Sequence, residues 1–208
     1  MANEIERVRF RGIEGAVIAE VTQDDDTDIT FGNVTPLMGT SEISKAVDSK
    51  SDTYYCDNIA AETLTSKGPT TLKLKGTVLG NKVKALITGN SYDSTNDSVV
   101  EVASPDIKYF ALGYVYKLTN GQRVLVWNYK GTFAIGDETY DTETDGTEGT
   151  EQELTYTSID TTHKFKLKAP SGTGNVTKSI RNYIVPESST TTMATFFENV
   201  ALPTEANA

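Results

Sequence analysis

The sequence predicts a mainly β domain with one packed helix and long polar loops, and three observations carry that expectation. Two runs dense in Tyr, Phe, Val, Leu and Trp flank the pair Asn120-Gly121, the strongest short-range hairpin signal. Thr70–Leu74 alternates with lysine on one face, the period of a half-buried strand. Apolar residues make up only 37% of the chain, with Thr, Ser, Gly, Asn and Asp filling the difference. That mixture favours strands, turns and surface loops over packed helices. A chain of 208 residues fits one large domain, residues 1–208, and at that size a single core buries roughly 70% of the unfolded surface without a staple.

Residues 5–21 read as two short β runs, Val8–Arg11 and Ala16–Val21, divided by Gly12 and Gly15. The segment QDDDTD at 23–28 is a loop, because its like charges repel in a regular element. Residues 35–57 mix β formers with Ser, Asp and Lys and read as a long, polar, half-buried hairpin, followed by a turn-rich stretch Asn58–Pro69. In VLGNKVKALITG, Val78, Leu79, Val83, Leu86 and Ile87 fall near helical spacing. A helix over about 80–88 follows, stopped by Gly89-Asn90. Ile107–Leu118 and Gln122–Phe133 form the hairpin, with Asn120-Gly121 as a type I′ turn having positive φ at both residues. Residues 136–152 are acidic and poor in apolar side chains, a long loop disordered in a free subunit. Leu154–Thr157 and His163–Leu167 read as further strands, 170–175 as a turn and 190–200 as a short terminal helix or strand. The last residues, about 201–208, read as a flexible end, and no internal repeat is present.

Charge and rare residues bound the function. Twenty-nine acidic residues against 19 basic ones give a net charge of −10, which repels nucleic acid and anionic membranes. A protein that grips DNA needs clustered Lys and Arg. No window nears the 18 or so apolar residues of a membrane span, and MANEIERVRF lacks an apolar leader core, so a soluble protein made in a cytoplasm is expected. Catalysis rests on His, Cys or sheltered carboxylates. One histidine, His163, reads as an exposed strand residue, and one cysteine, Cys56, as a buried or half-buried small hydrophobe without a disulfide partner. No GxSxG, HExxH, P-loop or GxGxxG occurs, and Gly172-Thr173-Gly174 lacks a third glycine. Asp141, Glu143 and Asp145 before Gly146 imitate the opening of a calcium loop, but its twelfth position is Gln152, not glutamate. Asp24, Asp26 and Asp28 alternate without the following glycine. Neither cluster is assigned a metal; no cofactor and no enzyme activity are expected. The aromatics Tyr109, Phe110, Tyr114, Tyr116, Trp127, Tyr129 and Phe133 make either a sugar platform or, at period two, core and cross-strand pairs.

The hairpin region reads SPDIKYFALGYVYKLTNGQRVLVWNYKGTF. A proline-led segment, an ALGY strand, a glycine turn and an aromatic strand ending in YKG-F resemble the major tail protein family of siphophages that infect Gram-positive bacteria. GIEGAVIAEVTQDD resembles the opening strand and acidic turn of that family. GTSEISKAVDSKSDTYYCDN resembles its next hairpin, with CDN at Cys56–Asn58 where ADN is commoner. LKLKGTVLGNKVKALITG resembles its strand-plus-helix. The likeness covers roughly residues 8–167, and its weight lies in the shared order of the pieces. AIGDETY at 134–140 departs from the pattern by lacking a proline after the second strand.

The resemblance implies a β-sandwich or barrel-like tail-tube fold with a helix at one side. It implies hexameric rings of this chain that stack into the tail tube of a virion, with DNA in transit through the lumen and not specifically bound. A tape measure protein inside the tube, and tail terminator and distal tail proteins at its ends, are the other implied partners; no membrane is involved. Glu42, Asp48 and Asp52, in the segment Met38–Thr53, are the expected lumen-wall residues. A one-residue slip in register would invert that placement. Tyr54 and Tyr55, within the stretch Ser49–Gly68, and Asp141, Glu143 and Asp145 in the acidic loop are the expected contacts between subunits or rings. The alternative from the residues alone is a β-sandwich binding module, an adhesin or carbohydrate-binding domain.

Overall fold

The computed structural model describes residues 8–138, 140, 142, 149–170 and 174–206. The strands are β1 (Phe10–Asp24), β2 (Ile29–Phe31), β3 (Thr35–Pro36), β4 (Thr40–Cys56), β5 (Ile59–Gly76), β6 (Ser91–Asp93), β7 (Ser98–Val100), β8 (Phe110–Leu118), β9 (Arg123–Ile135), β10 (Gln152–Ile159), β11 (Lys164–Lys168), β12 (Asn175–Ser179) and β13 (Asn182–Pro186). Two helices, α1 (Asn81–Thr88) and α2 (Met193–Glu198), interrupt them. The fold is therefore mainly β, organised around one large antiparallel sheet and consistent with a β-sandwich-like arrangement.

That sheet runs β2-β1-β8-β9-β10-β5-β4, with β3 added to β1 and β13 to β9. It curls into an open barrel, with β4 coming back against β1. Each face has its own core. Ile18, Leu72, Leu74, Leu112, Leu154 and Tyr156 line the concave side, where Leu79 and Ile87 seal it from α1 and the residues before it. Ala111, Val115, Leu125, Trp127 and Tyr129 line the other side beneath Ile29, Phe165 and Phe196. β8 and β9 serve both cores, and nearly every residue from Phe110 to Val115 and from Val124 to Tyr129 is buried. A strand buried on both faces reads as a continuous apolar run, which is what made this hairpin conspicuous. The buried polar ends are tied: Trp127 Nε1 donates to the Phe196 carbonyl at 3.1 Å and the Tyr156 hydroxyl to the Phe110 carbonyl at 2.7 Å.

Bulges decide which side chains face inward. Gly12 and Gly15 do not divide the first strand as expected. They sit beside register shifts within β1, between Phe10 and Gly12 and between Glu14 and Ala16, and Gly15 has φ +56°. In β9 the register passes from Leu112↔Asn128 to Phe110↔Gly131, so Gly131 turns to the concave core. A Cβ there would lie 2.5 Å from the Tyr156 ring and from the Thr157 carbonyl. The helix expected over 80–88 is α1, ended by Gly89 at φ +71°. The chain also forms β12 and β13, which the sequence reading left unassigned.

Two turn assignments exchange places. Asn120 does not have positive φ, whereas Gly121 does (+86°). Gly121 N–H donates to the Leu118 carbonyl at 3.0 Å and Leu118 N–H to the Gln122 carbonyl at 2.9 Å, a type I turn followed by a glycine bulge. The tight turn with two left-handed residues is Asp57-Asn58, at φ 50° and 65°, between the paired Cys56 and Ile59. The segment 35–57 expected as a hairpin is thus the short β3, paired with β1, and the single strand β4. Of the turn-rich stretch Asn58–Pro69 only Asn58 is in the turn, the rest being the start of β5. The expected flexible end is held as far as Ala206, whose N–H donates to the Lys166 carbonyl at 2.8 Å; Tyr129 hydroxyl binds the Ala201 carbonyl at 2.7 Å. Thr192 and Thr195 form a capping box for α2, the residues expected as terminal helix or strand.

Gly131→Ala is expected to cost about 1–3 kcal/mol through overpacking against Tyr156, measured as a lowered midpoint of urea unfolding with unchanged slope.

Candidate assembly surface

β4 and β5 begin as sheet strands and end as a free arm. Thr70 to Gly76 of β5 pair with β10 on one side and with β4 on the other. Beyond Thr70 the pairing with β10 stops, and β4 and β5 continue as a two-stranded ribbon to the turn at Asp57-Asn58. Every residue from Ser44 to Lys67 is exposed. Neither hydrophobic core draws on any residue between Ser44 and Pro69. A ribbon with two open edges and two wet faces is marginal in water by itself, and an open edge is a template for another strand.

The two faces of the arm differ. Register places Ser51 opposite Thr65 and Thr53 opposite Thr63 on one face, with hydroxyl contacts of 3.5 and 3.3 Å. The other face carries Lys50 and Ser66, Asp52 and Leu64, Tyr54 and Glu62, and Cys56 and Ile59 at the tip. Leu64 is 62% and Ile59 71% exposed, so this face offers apolar area to something outside the subunit. Tyr54 and Tyr55 are neighbours in β4 and point to opposite faces, both exposed. Cys56 is exposed at the arm's tip, contrary to the burial expected for a lone cysteine. The two-residue turn there leaves it nothing to pack against.

Glu42, Asp48 and Asp52 are brought onto one face, the even-numbered side of β4. Glu42 faces Lys75 across the strands. This side of the barrel end continues through Lys73 on β5, Glu153 and Thr155 on β10 and Ala134 on β9. Lys73 and Ala134 are exposed there and Lys75, Glu153 and Thr155 half-buried, while the alternating core residues Leu72, Leu74, Leu154 and Tyr156 point the opposite way. It is polar with both signs of charge, Lys73 pairing with Glu153 at 3.1 Å. Asp141, Glu143 and Asp145 lie outside the described residues, as does Gly146.

The arm's root is irregular and clamped. Val47 pairs with Thr70 but Ser49 with Lys67, so Gly68 and Pro69 together oppose Asp48. Arg181, in the link between β12 and β13, lies against this bulge. Its Nη1 donates to the Gly68 carbonyl at 2.6 Å and to Thr70 Oγ1 at 3.1 Å, while Nε and Nη2 grip Asp160 at 2.8 and 2.9 Å. Lys45, exposed overall but partly desolvated beside Arg181, has its ammonium pKa lowered by that desolvation and by the charge of Arg181. Sequence reasoning missed Arg181. The available signal was the β-type run Tyr183-Ile184-Val185 just after it, which marks a strand start beside a lone guanidinium.

The other expected sites resolve into structure. Asp25 folds back on its own loop, accepting from Thr27 N–H at 2.8 Å and Gln23 Nε2 at 2.9 Å. The Asp24 side chain is only 4% exposed and pairs with Lys130. It also accepts from the Thr162 and His163 N–H groups, each at 2.9 Å. Burial opposes its charge, but the His163 N–H, Lys130 and the Thr162 N–H outweigh it and hold the carboxyl below the ordinary aspartate value. His163 is half-buried and precedes β11 rather than lying in it, its ring edge-on to Phe165. Trp127, Tyr129 and Phe110 are fully buried and Tyr114 is 7% exposed, so these aromatics are core, not a platform. Among the described residues no group of three or more His, Cys, Asp or Glu is placed to hold a metal, and no helix is long and apolar enough to cross a membrane. Comparison with known proteins finds no family profile that matches the chain, and no curated protein matches it.

Asp24→Asn is expected to cost about 1–3 kcal/mol by leaving Lys130 without its carboxylate and the Thr162 and His163 N–H groups with a weaker acceptor. Because the folded pKa is depressed, the wild-type advantage is present above about pH 4 and lost as pH falls through the folded value. Urea titrations at pH 7 and pH 3 measure both.

Proposed function

We propose that this chain is a structural subunit that assembles with copies of itself into a hollow tube, as the resemblance to major tail proteins of siphophages implies. The observation that carries the reading is the exposed arm. β4 is 17 residues long, pairs along one edge only, with β5, among the described residues, and extends past every residue of the core. Strand addition by a neighbouring copy would satisfy those edge groups. Repeating one head-to-tail contact around an axis closes a ring when the rotation permits, and a second contact along the axis stacks rings.

Charge supports the same reading. A conduit for DNA must not hold it, and binding to DNA grows with each phosphate neutralised by Lys or Arg. A chain of net charge −10 presents a repulsive average field to a polyanion. Glu42 and, toward the tip, Tyr54, Leu64 and Ile59 share one face of the β4–β5 ribbon; its polar, mixed-charge base suits a wet inner wall, and its more apolar outer stretch suits a contact between copies. On this reading the rings are hexameric and belong to a virion tail. A tape measure protein fills the lumen before DNA passes, and terminator and distal tail proteins close the ends.

Electron microscopy of the concentrated full-length protein is expected to show rings or tubes with a central hole; a dispersed monomer under all conditions overturns the reading. Replacing residues 49–67 by a short turn is expected to leave a folded subunit, since no core residue is removed, that no longer polymerises. Unimpaired tubes from that variant would eliminate the arm as the assembly element.

A further inference from the structure

We propose that Arg181 is the positioning residue that sets the direction of the β4–β5 arm relative to the barrel, and that polymerisation depends on it. This rests on the reading of the arm as the assembly element. A bulge interrupts the ladder and bends the strand, and the bulge at Asp48 opposite Gly68 and Pro69 lies where the arm leaves the sheet. Pro69 has no N–H to give the ladder, and at Gly68 a Cβ would come within 3.0 Å of Asp48 Oδ2. The ladder is therefore weakest at the arm's pivot.

Arg181 supplies bonds across that pivot. One nitrogen bridges Gly68 and Thr70, the residues on either side of Pro69. The remaining face of the guanidinium is held by both oxygens of Asp160. A planar fork can serve these partners together, whereas an ammonium cannot. The mount is stiff. The Arg181 carbonyl accepts from Tyr129 N–H at 3.0 Å and the Ile180 carbonyl from Thr161 N–H at 2.9 Å, and Ile180 N–H donates to Thr161 Oγ1 at 3.1 Å. Tyr129 and Thr161 are themselves buried. The Arg181 side chain is 16% exposed and its bonds to Gly68 and Thr70 are part-buried, so water competes weakly there, while the Asp160 carboxylate, 54% exposed, stays open to solvent. The guanidinium thus joins a fixed core strand to an element that has no core contacts of its own. An arm that must meet a neighbouring copy in register needs its angle fixed before contact, and ordering it beforehand lowers the entropy lost on association.

The chain carries one tryptophan and one cysteine, Trp127 in the core and Cys56 at the arm's tip, so an acceptor dye on Cys56 reports the arm's position without further mutation. Time-resolved energy transfer from Trp127 in the dilute wild-type subunit is expected to give a narrow distance distribution, broadened in both Arg181→Gln and Arg181→Lys. With unlabelled protein, light scattering is expected to show polymerisation slowed about tenfold or more in both variants, as for loss of a charge-assisted hydrogen bond. Asp160→Asn, which keeps the guanidinium and its bonds to Gly68 and Thr70, is expected to shift both readouts less in the same direction, and it stands in if the Arg181 variants do not fold. An unchanged distance distribution overturns the positioning role, and unchanged polymerisation with a broadened distribution overturns the dependence of assembly on it. Failure of the wild-type chain to polymerise overturns the tube reading instead, and the energy-transfer result then still decides whether Arg181 holds the arm.

Discussion

Among the described residues β4 is paired along one edge only, by β5, and this open edge governs how the rest of the molecule can be understood. Between Ser49 and Lys67 neither edge of the ribbon is paired to a third strand, and no side chain there reaches either core. Ordering a residue costs roughly 1–2 kcal/mol of backbone entropy. The ribbon recovers little of that from burial, so its ordered form gains most from contacts outside the subunit. The remainder of the fold is arranged to hold such an element out from a stiff base.

The base is the pair β8 and β9. Buried on both faces, they let one sheet carry two cores, so the barrel end beside α1 and the opposite layer beneath α2 are braced by the same strands. Bulges at Gly15, at Gly131 and at Asp48 re-aim side chains without ending strands. The last of these is also the place where the arm departs, and there a side chain from outside the ladder, Arg181, takes over the bracing. Stability and assembly are separated in the chain: the residues that bury apolar area are not those that would meet a neighbour.

The sequence announces what is buried more clearly than what protrudes. Apolar runs on either side of Asn120-Gly121 reveal β8 and β9 because burial on two faces demands continuous hydrophobicity. The helix at Asn81–Thr88 is legible from Val83, Leu86 and Ile87 and its glycine stop. The arm is hidden for the converse reason. Thr63, Leu64 and Thr65 face water in the free subunit, so no period-two contrast marks the strand, and Gly68-Pro69 reads as a turn when it is a bulge. The tight turn at Asp57-Asn58 lacks the glycine that draws attention at Gly121, where the backbone needs only one left-handed residue. For the candidate surface, the common side of Glu42, Asp48 and Asp52 follows from their even spacing in one strand. The clamp does not, because Arg181, Asp160 and Gly68 are far apart in sequence and meet only through the sheet order.

The arm finds its missing partners, on this reading, in other copies of the chain. Amide hydrogen exchange over residues 49–67, compared between the dilute subunit and the concentrated protein, tests it directly. Fast exchange along both arm strands in the dilute subunit and strong protection in the concentrated sample are expected, with β8 and β9 protected in both. Equal, rapid exchange of the arm at every concentration would contradict it.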